Sequence, residues 1–593
     1  MIKASAHEQQ TRPFGGMHCR YLRVDLSQRT TEVRPLTADL LARVLGGVGL
    51  ASYLLDRHCP DGADPLGPEN PLVFASSPFV GTGITTASKL AIAARSPQTG
   101  FVGDSLSSSY LAIELKRTGF DALVVTGRRD DWSVMLLDRD QIVFRPAADL
   151  LGLDPLATAE RLRAELGRGF RVAAIGVAGE RGVRYAALSN DGRLAGRTGA
   201  GAAMGAKRLK AIAVRGAALP PVADPAALAR AARALARRSL GSETAKYRQL
   251  GTAANLAFFD RVGALPTRNF QASHFEEAEA IAGETLLANH AADRHACAAC
   301  TIGCEHHYRT RDQGPAVETR LEYEVLFALG SLCGVGDPNA ILRAAALCDR
   351  LGLDAISAGA TVAWAMECQE RGVALPDDPP RFGDADGLLR TIGRIGRREG
   401  ELGALLAEGS RRAAEIVGQG SQDWAMHVKG LELPGYDPRR LQTTALGLAV
   451  AARGACHNRS TAYEVDFSDR LGPDADAHAR ASAAAAAEDQ AAVLDSLTVC
   501  KFLRHCFDDL FGETAALYLM VTGVCIDLRR AGAGIVELKK RFNIRQGWTR
   551  ADDRLPERLF DPARLDELVS AYYAVRGWRA DGTPPEEALP DIL

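Results

Sequence analysis

The segment Leu219-Pro-Pro-Val-Ala-Asp224 divides the chain into two kinds of sequence. Before it, from about Tyr21 to Arg215, run short β-type stretches: YLRVDL, PLVFAS, LAIAARS, ALVVTGR, SVMLLD, RVAAIGVAG and KAIAVRG, separated by Gly, Pro and Asp turns. After it, Asp224 is placed to cap a helix that opens with Pro225 at its first position and continues as AALARAARALARR. Helical patterns then run to the C-terminus, among them Asn339 to Leu351, Asp386 to Val417 and Ala475 to Leu494. Two β runs of the first part end alike, Asp121-Ala-Leu-Val-Val-Thr-Gly-Arg128 and Lys210-Ala-Ile-Ala-Val-Arg-Gly216, which points to a duplicated half-domain. The predicted fold is α+β: an N-terminal, mostly β domain of two similar halves (17–216), followed by two largely α-helical domains (217–425 and 426–593). The second boundary precedes a Gly/Pro-rich loop, Lys429 to Arg439.

Of the 593 residues, 47% are hydrophobic and 24% charged, which excludes a collagen-like, coiled-coil or wholly disordered chain. Lys and Arg number 71 against 73 Asp and Glu, a net charge of −2, so there is no electrostatic case for nucleic acid or an anionic membrane as partner. The first twenty residues lack the apolar core of a secretory leader. Thr514 to Leu528, the longest apolar stretch, falls short of the roughly 18–20 residues of a membrane span. A cytoplasmic protein is expected, and in a reducing compartment its twelve cysteines read as free thiols or ligands rather than bridges.

Three of them form Cys297-Ala-Ala-Cys300-Thr-Ile-Gly-Cys304, or C-x2-C-x3-C. Thiolates that close can hold three corners of a cubane iron–sulfur cluster, with a fourth from elsewhere. Zinc is the rival, although no second C-x2-C follows and Cys333 stands alone; a purely structural loop is the third reading. Cys348, Cys368 and Cys525 fall in apolar helical contexts that suit small core residues, and Cys500 looks equally ordinary on pattern alone.

Several separated motifs together resemble the tungsten-containing aldehyde:ferredoxin oxidoreductase family, over nearly the whole chain from about Tyr21. Leu45-Gly-Gly-Val-Gly49, Asp64-Pro-Leu-Gly-Pro-Glu-Asn70, Ser96-Pro-Gln-Thr-Gly100 and Glu114-Leu-Lys-Arg-Thr-Gly-Phe-Asp121 are similar to that family's first domain. Gly196 to Arg215 resembles its second phosphate-side signature and implies cofactor contacts at Arg197 and Thr198. The family's paired pterin motif, D-x-x-G-L-(C/D), occurs intact as Asp349-Arg-Leu-Gly-Leu-Asp354 and modified as Asp495-Ser-Leu-Thr-Val-Cys500. The resemblance implies pterin contacts at Asp349, Leu353, Asp354, Asp495, Val499 and Cys500, and makes Cys500 the fourth cluster ligand beside Cys297, Cys300 and Cys304.

Glu322-Tyr323-Glu324 resembles the family's E-Y-E segment, and Arg453-Gly-Ala-Cys-His457-Asn-Arg459 its G-x-C-H segment. Taken alone, Glu322 and Glu324 suit a solvated helix face and His457 a structural histidine. The resemblance makes Glu324 a general base, His457 a hydrogen-bond partner of the substrate oxygen, and Arg459 a cofactor contact. Two departures stand out: Ser88-Lys89 where relatives have Gly-Arg, and Leu106-Ser-Ser-Ser109 where they have Asn-Ser-Gly-Gly. Lys89 can pair with a phosphate only as a point charge. Leu106 can still offer a backbone carbonyl to a magnesium between two pterin phosphates. No E-x-x-H is found for an intersubunit iron.

The resemblance thus implies a tungsten (or molybdenum) bis-pterin and a [4Fe-4S] cluster. The activity implied is aldehyde oxidation to the carboxylate, with a ferredoxin-like carrier or iron–sulfur partner subunit as acceptor, in a homo- or hetero-oligomer. The alternatives are a reductive member acting on an acyl thioester or carboxylic acid, with Cys333 as a further metal ligand, and a non-catalytic electron-transfer subunit whose altered loops no longer hold the cofactor.

Overall fold

The computed structural model describes residues 14–468, 471–472 and 474–586; the leader expectation falls largely on residues 1–13, outside them. The first part folds into two six-stranded sheets. One contains β1 (Arg20–Asp25), β2 (Thr30–Pro35), β3 (Leu72–Ala75), β4 (Lys89–Arg95), β5 (Val102–Ser108) and β6 (Ala122–Thr126), in the order β2-β1-β6-β3-β4-β5. The other contains β7 (Ser133–Asp138), β8 (Gln141–Pro146), β9 (Arg171–Ile175), β10 (Leu188–Asn190), β11 (Arg193–Ala195) and β12 (Leu209–Arg215), in the order β8-β7-β12-β9-β10-β11.

These are the same topology. In each sheet the last strand slots between the first and third, parallel to the first and antiparallel to the third, and the other neighbours are antiparallel. The two runs singled out for their like endings are β6 and β12, the equivalent central strands. Their unbroken apolar stretches, Ala-Leu-Val-Val and Ala-Ile-Ala-Val, are buried on both faces, as a central strand requires. The exposed edge strands β2 and β8 carry charged side chains, Glu32 and Arg34 in one and Arg145 in the other, which discourages further pairing. The sheets face one another across a shared core in which Leu22, Phe74, Ile92 and Val125 meet Met135, Leu137, Leu188 and Ile212.

Asp224 caps the helix Pro225–Arg238, accepting from the Ala227 amide at 2.9 Å. The linker before it is not free, since the Ala223 amide donates to Val521 O (2.9 Å) and that of Asp224 to Met520 O (2.8 Å) on the helix Leu510–Thr522. Beyond it the chain is largely helical, and one continuous core runs from Val48 and Leu54 beneath the first sheet to Leu494, Tyr518 and Ile535.

Two expectations are corrected. The pattern over Asp386–Val417 forms three helices, Ala385–Arg397, Gly400–Leu406 and Ser410–Val417, because Arg398, Gly400 and Gly409 take positive φ. A three-stranded sheet, β13 (Ala291–His295), β14 (Glu305–Arg309) and β15 (Glu318–Arg320), interrupts the helical region. Among the described residues no single helix is long and apolar enough to cross a membrane.

Candidate functional site

The clustered cysteines lie in the loop joining β13 to β14. A turn of the first half-domain, Ile84 to Ser88, holds this loop at three points. The Thr86 amide donates to Ala299 O (2.8 Å), Thr85 and Thr301 share a hydroxyl hydrogen bond of 2.6 Å, and Ser88 Oγ donates to Ala298 O. Cys500 reaches the same turn just beyond the helix Ala477–Ser496, its amide donating to Thr86 Oγ1 at 3.1 Å. One threonine thus ties the cysteine loop to Cys500. Thr86 adopts φ +68°, a strained conformation for a β-branched residue.

Burial pushes the Cys304 thiol well above its ordinary value, and Cys500 and Cys297 push it further; burial and Cys500 raise Cys300 as well. Burial raises Cys297 too, against the pull of Arg193 and a hydrogen bond with Ser108. Buried thiols that oppose one another's ionisation fit a cationic inorganic core, which takes them as thiolates. Among the described residues no three His, Cys, Asp or Glu side chains are gathered closely enough to hold a single metal ion.

Beside this loop opens a cavity of about 390 Å³, within the range of small-molecule sites. Its wall brings together Lys89, Leu106, Arg197, Asp349, Asp354, Arg459, Asp495, Cys304 and Cys500 with Glu324 and His457. Thr198, Leu353, Val499, Cys297 and Cys300 are not on that wall. Thr198 turns the chain with φ +73° and its carbonyl accepts from Ser96 Oγ; Leu353 bridges to Ala186; the Val499 amide donates to Leu494 O.

Both copies of the repeated motif are helix ends. Gly352 closes the helix Pro338–Leu351 with φ +73°, and Asp354 caps the helix Ala355–Glu370, receiving the Ile356 amide and Ser357 Oγ and pairing with Arg197 at 3.4 Å. In the second copy Thr498 stands in the glycine's place with φ +61°, its Oγ1 sharing a 2.8 Å hydrogen bond with Ser77 Oγ.

Glu324 Oε2 accepts from the Gly435 amide at 3.1 Å, and Oε1 lies 3.2 Å from His457 Nδ1 without hydrogen-bond geometry. Burial pushes the Glu324 carboxyl up to about 8, and burial together with Arg197, Lys501, Arg453 and Arg459 keeps His457 neutral. Asn458 Nδ2 lies 2.8 Å from His457 Nε2; donating there, it leaves the ring proton on Nδ1, toward Glu324. Burial opposes the charge of Asp495, but Arg459 at 2.8 Å and Lys501 at 3.3 Å hold it below the usual carboxylate range. Burial lowers Lys501 to about 8. Arg453 Nε, Lys501 Nζ and Glu324 Oε1 are buried without a hydrogen bond, although Lys501 is ion-paired with Asp495. A cavity of this composition fits an anionic ligand that also carries N–H donors.

Residues 21–216 match the aldehyde ferredoxin oxidoreductase N-terminal domain, and residues 228–592 match domains 2 and 3 of the same family. The chain belongs to the aldehyde ferredoxin oxidoreductase family. It is 35% identical to the tungsten-containing aldehyde ferredoxin oxidoreductase of Thermococcus kodakarensis, over 97% of this chain and 98% of that one. It is 34% identical to the enzyme of the same description from Pyrococcus furiosus, with the same coverage. A WOR-like subunit of an aliphatic sulfonate oxidoreductase from P. furiosus is 27% identical, over 97% of this chain and 96% of the subunit. Among solved structures, the active-site complex BamBC of benzoyl coenzyme A reductase shares the fold, with a TM-score of 0.82 at 22% identity over 98% of this chain and 97% of that one.

In this family member the departures from the expected loops have local work. Ser107 Oγ donates to Arg193 O (3.1 Å), Ser108 bonds Cys297, and Ser109 caps the helix Tyr110–Arg117. Leu106 lies on β5 opposite Ala91 and faces the cavity. Cys333 is turned away from it, its thiol donating to Ala328 O and Gly359 O, so the structure gives no support to Cys333 as a metal ligand. Cys348 and Cys368 are buried in helices as expected, whereas Cys525 is exposed in a loop. Sequence reading missed Asp104, whose carboxylate receives Arg459 Nε (2.8 Å) and Lys539 Nζ (3.0 Å) and whose backbone carbonyl accepts from Arg453 Nη1; Cys456, within the G-x-C-H segment already singled out, accepts on its sulfur from Arg453 Nη2 at 2.8 Å. A charged residue inside the buried strand Val102–Ser108 is the signal that could have found Asp104.

Proposed function

We propose that this family member oxidises an aldehyde to its carboxylate, adding the oxygen of water and releasing two electrons. The observation that carries the reading is one cavity lined by Glu324 and His457 together with Asp354, Asp495, Arg459 and Cys500. When bound, a tungsten (or molybdenum) bis-pterin would supply the two-electron chemistry and a [4Fe-4S] cluster the one-electron exit to a ferredoxin-like acceptor. Cys297, Cys300, Cys304 and Cys500 would hold the cluster. Asp349, Leu353, Asp354, Asp495, Val499 and Cys500 would meet the pterins, with Lys89, Arg197, Thr198 and Arg459 toward their phosphate side and Leu106 O toward a bridging magnesium.

Glu324 is the general base: near neutral pH it is mostly protonated, and its ionised fraction has the basicity to take a proton from water or from a hydrated aldehyde. His457, neutral and carrying its proton on Nδ1, donates to the substrate oxygen as that atom gains charge. Tyr436, stacked on the imidazole at 4.9 Å, fixes its plane. Metal analysis of anaerobically purified protein, joined to an assay of aldehyde-dependent viologen reduction, tests the reading. Active protein lacking both tungsten and molybdenum would falsify it, and thioester-dependent oxidation of reduced viologen without aldehyde activity would replace it with the reductive alternative.

A further inference from the structure

A second cavity, of about 1070 Å³, is walled by segments 411–427 and 550–569 with Arg371 beside them, and it shares no lining residue with the cavity beside His457. One part of its wall is apolar and buried, formed by Trp424, Leu555, Leu565 and Val569. Another part carries Arg411, His427 and Arg554. Burial, then Arg411 and Arg554, lower His427 to about 3, and no carboxylate pulls the other way, so the ring is neutral near pH 7. The Gly430 amide donates to its Nδ1 at 3.2 Å, which leaves the ring proton on Nε2, an atom with no partner among the described residues. Arg411 lies against the same turn, where a Cβ on Gly430 would sit 2.9 Å from its Nε and Cζ. Its Nη2 donates to Gln98 O at 3.4 Å, but its Nε is buried without a hydrogen bond and Glu415 stands 3.9 Å away. Arg554 is exposed and has neither hydrogen bond nor ion pair among the described residues. The other carboxylates of the wall do not answer these cations: Asp553 is paired with Lys429 (2.7 Å) and Lys540 (3.0 Å), Asp566 with Arg550, and Asp423 and Glu557 are exposed.

We propose that this cavity is a second ligand site and takes a carboxylate with an apolar body, the head on Arg411, Arg554 and His427 Nε2 and the body along Leu555, Leu565 and Val569. A buried donor without an acceptor, such as Arg411 Nε, is costly unless a ligand supplies one, and a guanidinium matches a carboxylate in shape and charge. Because His427 is neutral and Glu415 answers part of the charge of Arg411, the head group meets one net positive charge, which suits a carboxylate better than the two negative charges of a phosphate monoester. An apolar wall with a few convergent polar groups is the composition of a small-molecule site. The three head-group residues come from separate elements, the helix Ser410–Val417, the short strand His427–Val428 and the loop after Arg550–Asp552, so only the folded chain assembles them. The site is separate from the reaction at His457 and does not depend on what that reaction is.

The test measures binding of octanoate, acetate, octan-1-ol and octyl phosphate to the cofactor-loaded protein by calorimetry, in wild type, in Arg554→Gln and in Arg411→Gln/Arg554→Gln. Octanoate should bind wild type at least tenfold tighter than acetate, which lacks the body, and than octan-1-ol, which lacks the charge, with octyl phosphate weaker than octanoate. Arg554→Gln changes an exposed side chain that holds no other group in place, and it should lose about fivefold for octanoate. The double variant should lose at least twentyfold, while turnover by either variant stays within twofold of wild type. Should the double variant fail to fold, Arg554→Gln alone decides. Failure of octanoate to bind, or an octanoate affinity unaltered in Arg554→Gln, overturns the proposal. Equal affinity for octanoate and octan-1-ol, or tighter binding of octyl phosphate, overturns the carboxylate as its head group.

Discussion

Glu324 and His457 face each other at 3.2 Å in a site crowded with cations, and both are held in their uncharged forms. For the carboxyl the cause is burial, which the Gly435 amide and Arg197 only partly offset. A carboxyl whose proton is held to about pH 8 in the fold, but only to about 4.3 in the unfolded chain, contributes stability that is complete below the lower value and is lost as pH rises through the higher. Glu324→Gln removes that dependence. Its melting temperature should exceed that of wild type by a margin that widens between pH 5 and 8, while kcat/KM falls by roughly 10²–10⁴-fold and loses its rising limb near pH 8; thermal scans and pH–rate profiles check both.

The two motif copies make a second residue-scale contrast. A Cβ on Gly352 would sit 2.9 Å from Gly176 N at φ +73°, so Gly352→Ala should destabilise by about 2 kcal/mol, from left-handed strain plus the close approach, in urea titration. Thr498 bears the same backbone because Ser77 takes its hydroxyl. The cysteine spacing was legible from residues alone and the Asp motifs through resemblance. Asp104 and Arg453 were not, because what makes them matter is each other, 349 positions apart in the chain.

At the scale of elements, the duplicated sheet was legible in part because β6 and β12 are continuous apolar runs closed by glycine, the pattern of a strand buried on both faces. The hairpin β13–β14 was not, because Ala-Ala-Asp-Arg-His is exposed throughout, and in Glu-His-His-Tyr-Arg the buried alternate positions are His306 and Tyr308, which polarity alone does not set apart from their neighbours. That hairpin matters for what it delivers to the turn at Thr86. The threonine hydroxyl accepts from Cys500 N while its amide holds Ala299, so it fixes the fourth thiol relative to the other three. Thr86→Val keeps the branched shape and removes the acceptor. If the proposed cluster is bound, the loss of one hydrogen bond, about 1 kcal/mol, should speed chelator-driven iron release roughly fivefold with little change in melting temperature, as followed by visible absorbance. Unchanged release would mean that Thr86 braces the loop without positioning Cys500.

Across the whole molecule, the composition change at Leu219–Asp224 is real, yet it marks no physical gap: the linker is bonded to the helix Leu510–Thr522, and one core passes beneath both parts. Composition reports which elements a segment forms, while the contacts between segments depend on pairings no single stretch contains. The cavity is the clearest case, since Lys89 comes from β4 of one sheet, Arg197 from the turn that follows β11 of the other, and Arg453, Arg459 and Lys501 from the helical part. Burial lowers Arg453 and Lys501, and Arg459 lowers both further, although Asp104 and Asp495 partly compensate. An anion that binds the fold but not the unfolded chain relieves this repulsion and stabilises by mass action, by about 2.7 kcal/mol at a hundred times its dissociation constant. Protein prepared without cofactor should therefore melt below the loaded form. Inorganic phosphate should raise its melting temperature by several degrees where chloride at equal ionic strength does not, and the loaded form should not respond because its cations are already paired. Lys89→Met, which removes one of those cations from the cavity wall, should diminish the phosphate response of the cofactor-free protein. An equal response to phosphate and chloride would show that the cations are already neutralised by Asp104, Asp354 and Asp495, leaving the cavity no net demand for an anion.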